Sequence, residues 1–125
     1  MTTKKLFVYG TLRNFHPNSV RFGLSGSCPV TEGVRLEGYD LFNLGWFPGI
    51  KPGEGAVIGD VFDVPTGLFA TLDQYEGVPN LYTRQTVSIT DIGDPVEVYV
   101  YNGNPGRSDQ IESGNWEDRQ DVSAA

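Results

Sequence analysis

Leu6–Arg13, LFVYGTLR, is the stretch that decides the fold. Leu6, Phe7, Val8 and Tyr9 form an unbroken apolar run, the pattern of a strand covered on both faces. The run stops at Gly10, followed by Thr11. Glycine lets the chain turn sharply and lets another group come close to the backbone. Small residues after a buried strand leave the N–H groups of the turn free, and successive free N–H groups make a concave site for an anion such as a carboxylate. A plain strand-to-loop turn at Gly10 fits the same residues.

Outward from this stretch, residues 5–10 are predicted as the first strand. Residues 11–25 mix Arg, Asn, His, Pro and Gly and read as a loop, with one helical turn after Pro17. Two strands are predicted over 26–34 and 35–44, turning at Glu32 and Gly33. Residues 43–55, NLGWFPGIKPGEG, read as a long loop because of Pro48, Pro52 and the glycines. An exposed loop would not usually carry Trp46, Phe47 and Ile50, so this one either folds over the end of the core or walls a pocket. Residues 56–64 alternate as a strand. Thr66 is predicted to cap a helix running from Gly67 to about Glu76, with Gly77 as its left-handed stop and Leu68, Leu72 and Tyr75 as its buried stripe. Residues 82–91 and 95–101 form a hairpin through Ile92–Asp94, with Val96, Val98 and Val100 on one face and Glu97, Tyr99 and Tyr101 on the other. From Asn102 the chain is polar, anchored by Ile111 and Trp116, and about 118–125 reads as a mobile tail.

Five or six strands with one inserted helix define an α+β fold: a small, mostly antiparallel β-barrel with one main helix, in a single domain spanning residues 1–125. Closure into a barrel removes exposed strand edges. A parallel βαβ sheet would need more helices than this chain supplies.

Composition narrows the function. Nine basic residues against 16 acidic give a net charge of −7, which argues against non-specific binding to nucleic acid or to an anionic membrane. The 16 Gly and 8 Pro indicate many turns, while 7 Phe, 6 Tyr and 2 Trp remain to fill a core. Cys28 has no partner for an internal disulfide, which suits a reducing compartment. MTTKK is followed by no long apolar region, so neither a signal peptide nor a membrane span is visible, and a soluble cytoplasmic protein is expected. One His and one Cys do not provide the usual zinc ligands, so neither metal nor cofactor is expected.

The predicted helix ends in Asp73-Gln74-Tyr75-Glu76. Glu76 falls at the margin of the apolar stripe, with Asp73 on the same side. Partial desolvation, the neighbouring carboxylate and the negative end of the helix dipole would each raise its pKa. Such a carboxylate can take and return a proton near neutral pH. On position alone, a solvated Glu at a frayed helix end is the simpler reading. His16 reads as a surface residue and Cys28 as a small core residue. No GxSxG, phosphate loop or dinucleotide fingerprint is present. With no evident nucleophile, an enzyme of this sequence would need a substrate that brings its own.

Tyr9–Leu12 (YGTL) and Leu72–Gly77 (LDQYEG) resemble the two signatures of the γ-glutamylcyclotransferase-like family, which includes γ-glutamylamine cyclotransferases and plant avirulence-induced relatives. Trp46–Val64 resembles that family's aromatic-Pro loop and following strand, Leu81–Val87 the strand after its catalytic helix, and Ile111–Trp116 its C-terminal element. The resemblance implies a cavity between the YGTL loop and the helix. It implies that Tyr9, Gly10, Thr11 and Leu12 hold the carboxylate and amino end of a γ-glutamyl group, and that Glu76 is the general acid/base. The implied reaction releases 5-oxoproline from a γ-glutamyl amine or peptide by intramolecular amine attack. Tyr82 and Trp46 are candidate pocket walls. The other reading is a non-catalytic module that binds a small molecule or a peptide end in the same cavity.

Overall fold

The computed structural model describes residues 2–45 and 47–118. Trp46 and residues 119–125, which hold most of the expected tail, lie outside them. The strands are β1 (Thr3–Val8), β2 (Val30–Asn43), β3 (Pro48–Pro65), β4 (Tyr82–Ile89), β5 (Ile92–Tyr101) and β6 (Gln110–Ile111); the helices are α1 (Pro17–Arg21) and α2 (Phe69–Tyr75). One six-stranded sheet runs in the order β4-β5-β1-β3-β2-β6. It curls so that β2 returns towards β4, giving an open barrel. Pairing is antiparallel except between β1 and β5, which run parallel.

The apolar run at Leu6 is explained by two cores, one on each face of the sheet. Phe7 and Tyr9 point into the barrel interior with Leu36, Leu41, Ile50, Val57, Val96, Val98 and Val100. Leu6 and Val8 point outward and are covered by Leu12, Leu24, Phe69 and Leu72. Over Leu6–Val8 both faces are covered and every side chain is apolar, whereas Thr3 and Lys4 at the start of β1 are exposed. Ile111 and Trp116 close the inner core, as expected of the two late anchors.

Several predicted boundaries move, each for a tertiary reason. β1 spans Thr3–Val8, not residues 5–10, so Tyr9 and Gly10 already belong to the turn. The strands expected at 26–34 and 35–44 are one strand, β2. Glu32 and Gly33 form an irregularity in its pairing with β3 instead of a turn, and Gly33, at φ +67°, donates its N–H to buried Asp60 at 3.2 Å. The long loop expected at 43–55 shrinks to a tight turn in which Leu44 N–H donates to Phe47 O at 3.0 Å. Pro48 to Pro52 pair with Asn43 to Tyr39 as strand. Gly53 and Gly55 stay slim because the Asp40 carboxylate occupies the space beside them, accepting Gly55 N–H at 2.9 Å. The hairpin turns at Thr90 and Asp91, two residues earlier than predicted.

The predicted helix is shorter and is rotated about its axis. Thr66–Leu68 form a 3-10 turn without a side-chain cap, so Thr66 does not play the capping role expected of it. Phe69 and Leu72 carry the buried stripe, while Leu68 is only partly covered and Tyr75 is 44% exposed. Gly77 ends the helix at φ +69°, as predicted.

Close packing of β1 on β3 makes a test. A β-carbon at Gly59 would overlap the Val8 carbonyl oxygen and lie 2.7 Å from Phe7 Cζ, whereas one at Gly67 meets nothing within 4 Å. Gly59→Ala is therefore expected to lower unfolding stability by about 1–3 kcal/mol in urea titration. Gly67→Ala, the control, is expected to change it by less than about 1 kcal/mol. Equal effects at the two positions would contradict the packing described.

Candidate active site

The site begins where the doubly buried strand has to end. Tyr9 anchors the exit, donating its hydroxyl to Tyr99 O at 2.6 Å. The chain then reverses, with Arg13 N–H donating to Gly10 O at 3.1 Å. Glycine is required at the corner because a β-carbon on Gly10 would overlap the ring of Pro48 at the start of β3. Leu12 turns back into the outer core. Among the described residues, no acceptor takes the N–H groups of Gly10, Thr11 or Leu12.

Across from this turn stands Glu76, the C-terminal cap of α2, with its N–H on Leu72 O at 2.9 Å. Burial of Phe69 and Leu72 sets the helix against the outer sheet face. Gly77 and a Leu81 N–H bond to Gly77 O at 2.8 Å then turn the chain towards β4. Between turn and helix lies a cavity of about 230 Å³, whose lining includes Tyr9–Leu12, Glu76, Tyr82 and Tyr99. This is below the roughly 300–1,000 Å³ of clefts for drug-sized ligands and suits a group of amino-acid size.

Burial raises the Glu76 pKa from the ordinary carboxylate range to about 7. The Asp73 carboxylate expected to assist is committed elsewhere. It accepts the Tyr99 hydroxyl at 2.7 Å and lies 3.5 Å from Arg84, which also approaches Glu97 at 3.6 Å and stacks over the Phe69 ring. Desolvation, not the like charge or the helix end, is thus the cause of the shift.

Three phenols surround the acid closely enough to feel its charge: Tyr9, Tyr82 and Tyr99. Each has its pKa raised, chiefly by burial, so each stays neutral. Each has also spent its proton, Tyr9 on Tyr99 O, Tyr82 on Pro48 O and Tyr99 on Asp73. What the Tyr82 and Tyr99 oxygens have left to offer a ligand is a lone pair, while the Tyr9 oxygen already faces the Ile50 backbone N–H. The cavity therefore combines unused backbone donors on one side with acceptors and a proton-exchanging carboxyl on the other.

The sequence-derived residues Tyr9, Gly10, Thr11, Leu12, Glu76 and Tyr82 all line this one cavity. Trp46 lies outside the described residues. His16 caps α1, accepting Asn18 N–H at 3.3 Å, and Cys28 packs on the outer core with its thiol pKa raised by burial. Tyr99 was missed as a site residue. Its placement opposite the Val96–Val100 face was legible, but nothing in the sequence pointed that face at Glu76. Among the described residues, no helix is long and apolar enough to cross a membrane, and no group of three or more His, Cys, Asp or Glu could hold a metal.

The raised pKa carries a stability signature. Near pH 4 and below, Glu76 is protonated whether the chain is folded or not. As pH rises the unfolded chain ionises first, so folding stability falls until the folded carboxyl ionises at about pH 7. Glu76→Gln removes this term. Its stability relative to wild type is expected to climb between about pH 4 and pH 8, by at most about 3 kcal/mol, in denaturant titrations at both pH values. A difference independent of pH would contradict the burial of this carboxyl.

Residues 6–118 match the family described as Gamma-glutamyl cyclotransferase, AIG2-like. The chain is 35% identical over 115 residues to the Gamma-glutamylcyclotransferase family protein ytfP of Citrobacter rodentium, covering 92% of this chain and 96% of that one. It is 29% identical over 114 residues to the Gamma-glutamylaminecyclotransferase of Rattus norvegicus, covering 78% and 76%. The solution NMR structure of ytfP from Escherichia coli superposes with a TM-score of 0.70 at 31% identity, covering 91% of this chain and 96% of that one. The chain thus belongs to the γ-glutamylcyclotransferase, AIG2-like family.

Proposed function

We propose that this protein releases 5-oxoproline from a γ-glutamyl amine or peptide, with Glu76 as general acid/base. One observation carries the reading: a carboxyl group with a pKa of about 7 lines the same cavity as a turn whose backbone donors the protein leaves unused.

The α-carboxylate of the substrate is received by the N–H groups of Gly10, Thr11 and Leu12, which act as a fixed anion cradle. The α-ammonium lies towards Glu76 and the phenol oxygen of Tyr82, both of them acceptors. Glu76 takes one proton from the ammonium. The freed amine attacks the γ-carbonyl carbon, closing a five-membered ring. The bond from that carbon to the leaving nitrogen then breaks as Glu76 returns its proton to that nitrogen. The second proton, which the ring nitrogen sheds on becoming an amide N–H, passes by way of the Glu76 carboxylate to bulk water. The products are 5-oxoproline and a free amine, and Glu76 ends as it began. The nucleophile belongs to the substrate, so the cavity needs no Ser or Cys. Holding amine and carbonyl in contact supplies much of the acceleration, up to about 7–11 kcal/mol in well-oriented intramolecular reactions.

A carboxyl with a pKa of about 7 is half ionised at neutral pH, the condition under which one group can accept and then donate a proton efficiently. The ionised form starts the reaction. The expected kcat/KM for 5-oxoproline release therefore rises tenfold per pH unit below about pH 7 and bends there. Glu76→Gln is expected to lose roughly 10²–10⁴-fold in rate while remaining folded. A panel of γ-glutamyl amides, dipeptides and isopeptides assayed by chromatography for 5-oxoproline checks both. Binding without product across the panel would instead identify a non-catalytic module.

A further inference from the structure

Immediately after the cradle turn, residues 13–17 line a second cavity of about 520 Å³ that shares no lining residue with the first. It contains Asp60 of β3, a carboxylate only 2% exposed that the proposed chemistry does not use. Asp60 accepts four hydrogen bonds: Nε and Nη2 of Arg13, each at 3.3 Å, Asn14 N–H at 2.9 Å and Gly33 N–H at 3.2 Å. A carboxylate has about four lone-pair directions, so this one is full. Arg13 grips it with both prongs of its guanidinium and extends Nη1 to Asn115 Oδ1 at 3.2 Å. One buried acid thus ties the chain just past the turn to β3, to the irregularity in β2 and to the C-terminal segment.

The neighbouring backbone shows why such a tie is needed. Phe15 has φ +69° and is 79% exposed. A bulky residue in that region is strained and persists only where its surroundings over-determine it. Its exposed ring gains little from packing, so the hydrogen bonds around it hold the strain. Phe15 N–H donates to Ser25 Oγ at 3.0 Å, the Ser25 hydroxyl donates to Asn14 Oδ1 at 2.7 Å, and Asn14 Nδ2 donates to Glu32 at 2.6 Å. Asn14 N–H in turn rests on Asp60.

We propose that Asp60 is a positioning residue for the γ-glutamyl site: through Arg13 and Asn14 it fixes the shape of the Gly10–Leu12 turn that receives the substrate carboxylate. The assignment rests on the γ-glutamyl reading of that turn. The Asp60 side chain has no contact with Glu76 and does not line the first cavity, so it governs binding and leaves the proton transfer alone. Asparagine is no substitute, since it offers one acceptor oxygen and turns an NH₂ group towards N–H donors.

Asp60→Asn and Arg13→Lys test this in the whole chain; lysine keeps the charge and loses the fork. KM, kcat and their pH dependence are read with a γ-glutamyl substrate. Affinity for L-glutamine, a γ-glutamyl amide, is read by calorimetry in a Glu76→Gln background that does not turn it over. The expected result is a KM at least tenfold higher and a matching loss of L-glutamine affinity, with the pH midpoint of kcat/KM still near 7. Variants that lose stability yet keep wild-type KM and L-glutamine affinity overturn the proposal, as does a shifted pH midpoint with KM unchanged. Should Asp60→Asn fail to fold, Arg13→Lys decides by the same readings. A wild-type protein that binds L-glutamine but releases 5-oxoproline from no substrate overturns the chemistry alone, and the affinity change then decides the role of Asp60. A protein that neither binds nor turns over overturns both.

Discussion

Gly10 lies so tightly against the ring of Pro48 that a single added carbon would overlap it. This contact follows from the burial of β1 on both faces. Only its second half, Leu6–Val8, is covered on both faces, and from there the chain leaves the sheet between the start of β3 and the end of α2. The turn that results is too cramped for side chains at its corner and too exposed to the cavity to pair its own N–H groups. Pro48 also accepts the Tyr82 hydroxyl, so the residue that forces the turn also fixes the opposite wall. The cavity is a by-product of how a doubly buried strand ends.

Glu76 stands apart from the other buried or half-buried acids because, among the described residues, its carboxylate has no hydrogen-bond or ion-pair partner. Asp60 takes four donors, Glu97 accepts Thr86 at 2.5 Å beside Arg84, and Asp73 is shared by Tyr99 and Arg84. Each of those acids is ordinary structural chemistry, a buried charge matched by hydrogen bonds. Glu76 is surrounded by phenols whose protons point elsewhere, and burial alone sets its pKa. A fold selected only for stability would not leave a carboxyl so placed, which is why perturbed, unpartnered acids in clefts are candidates for function.

The sequence revealed those parts of the site that depend on local chemistry. LFVYG showed a strand covered on both faces with a corner after it, and the LDQYEG stretch showed a helix ending at Glu76 with Gly77 as its stop. What depended on distant pairing was hidden. Pro48–Pro52 reads as loop in isolation and becomes strand only because Tyr39–Asn43 offers it an edge. Glu32 and Gly33 look like a turn and instead form an irregularity held by Asp60, 27 residues away. The helical stripe was misassigned by one step, since Phe69 took the place of Leu68 and left Tyr75 exposed. Asp73 looked like a partner for Glu76, and only the fold shows Tyr99 and Arg84 claiming it. Tyr99 joined the site for the same reason: its face was legible, its neighbour was not.

The most direct measurement is the titration of the Glu76 side-chain carboxyl by carbon-detected NMR, assigned by comparison with Glu76→Gln. A midpoint near pH 7 is expected, moving when L-glutamine is added, because the proposed reading puts ligand and carboxyl in one cavity. A midpoint between pH 4 and 5, unmoved by L-glutamine, would mean that the carboxyl is solvated and unconnected to the cradle, and would contradict the account.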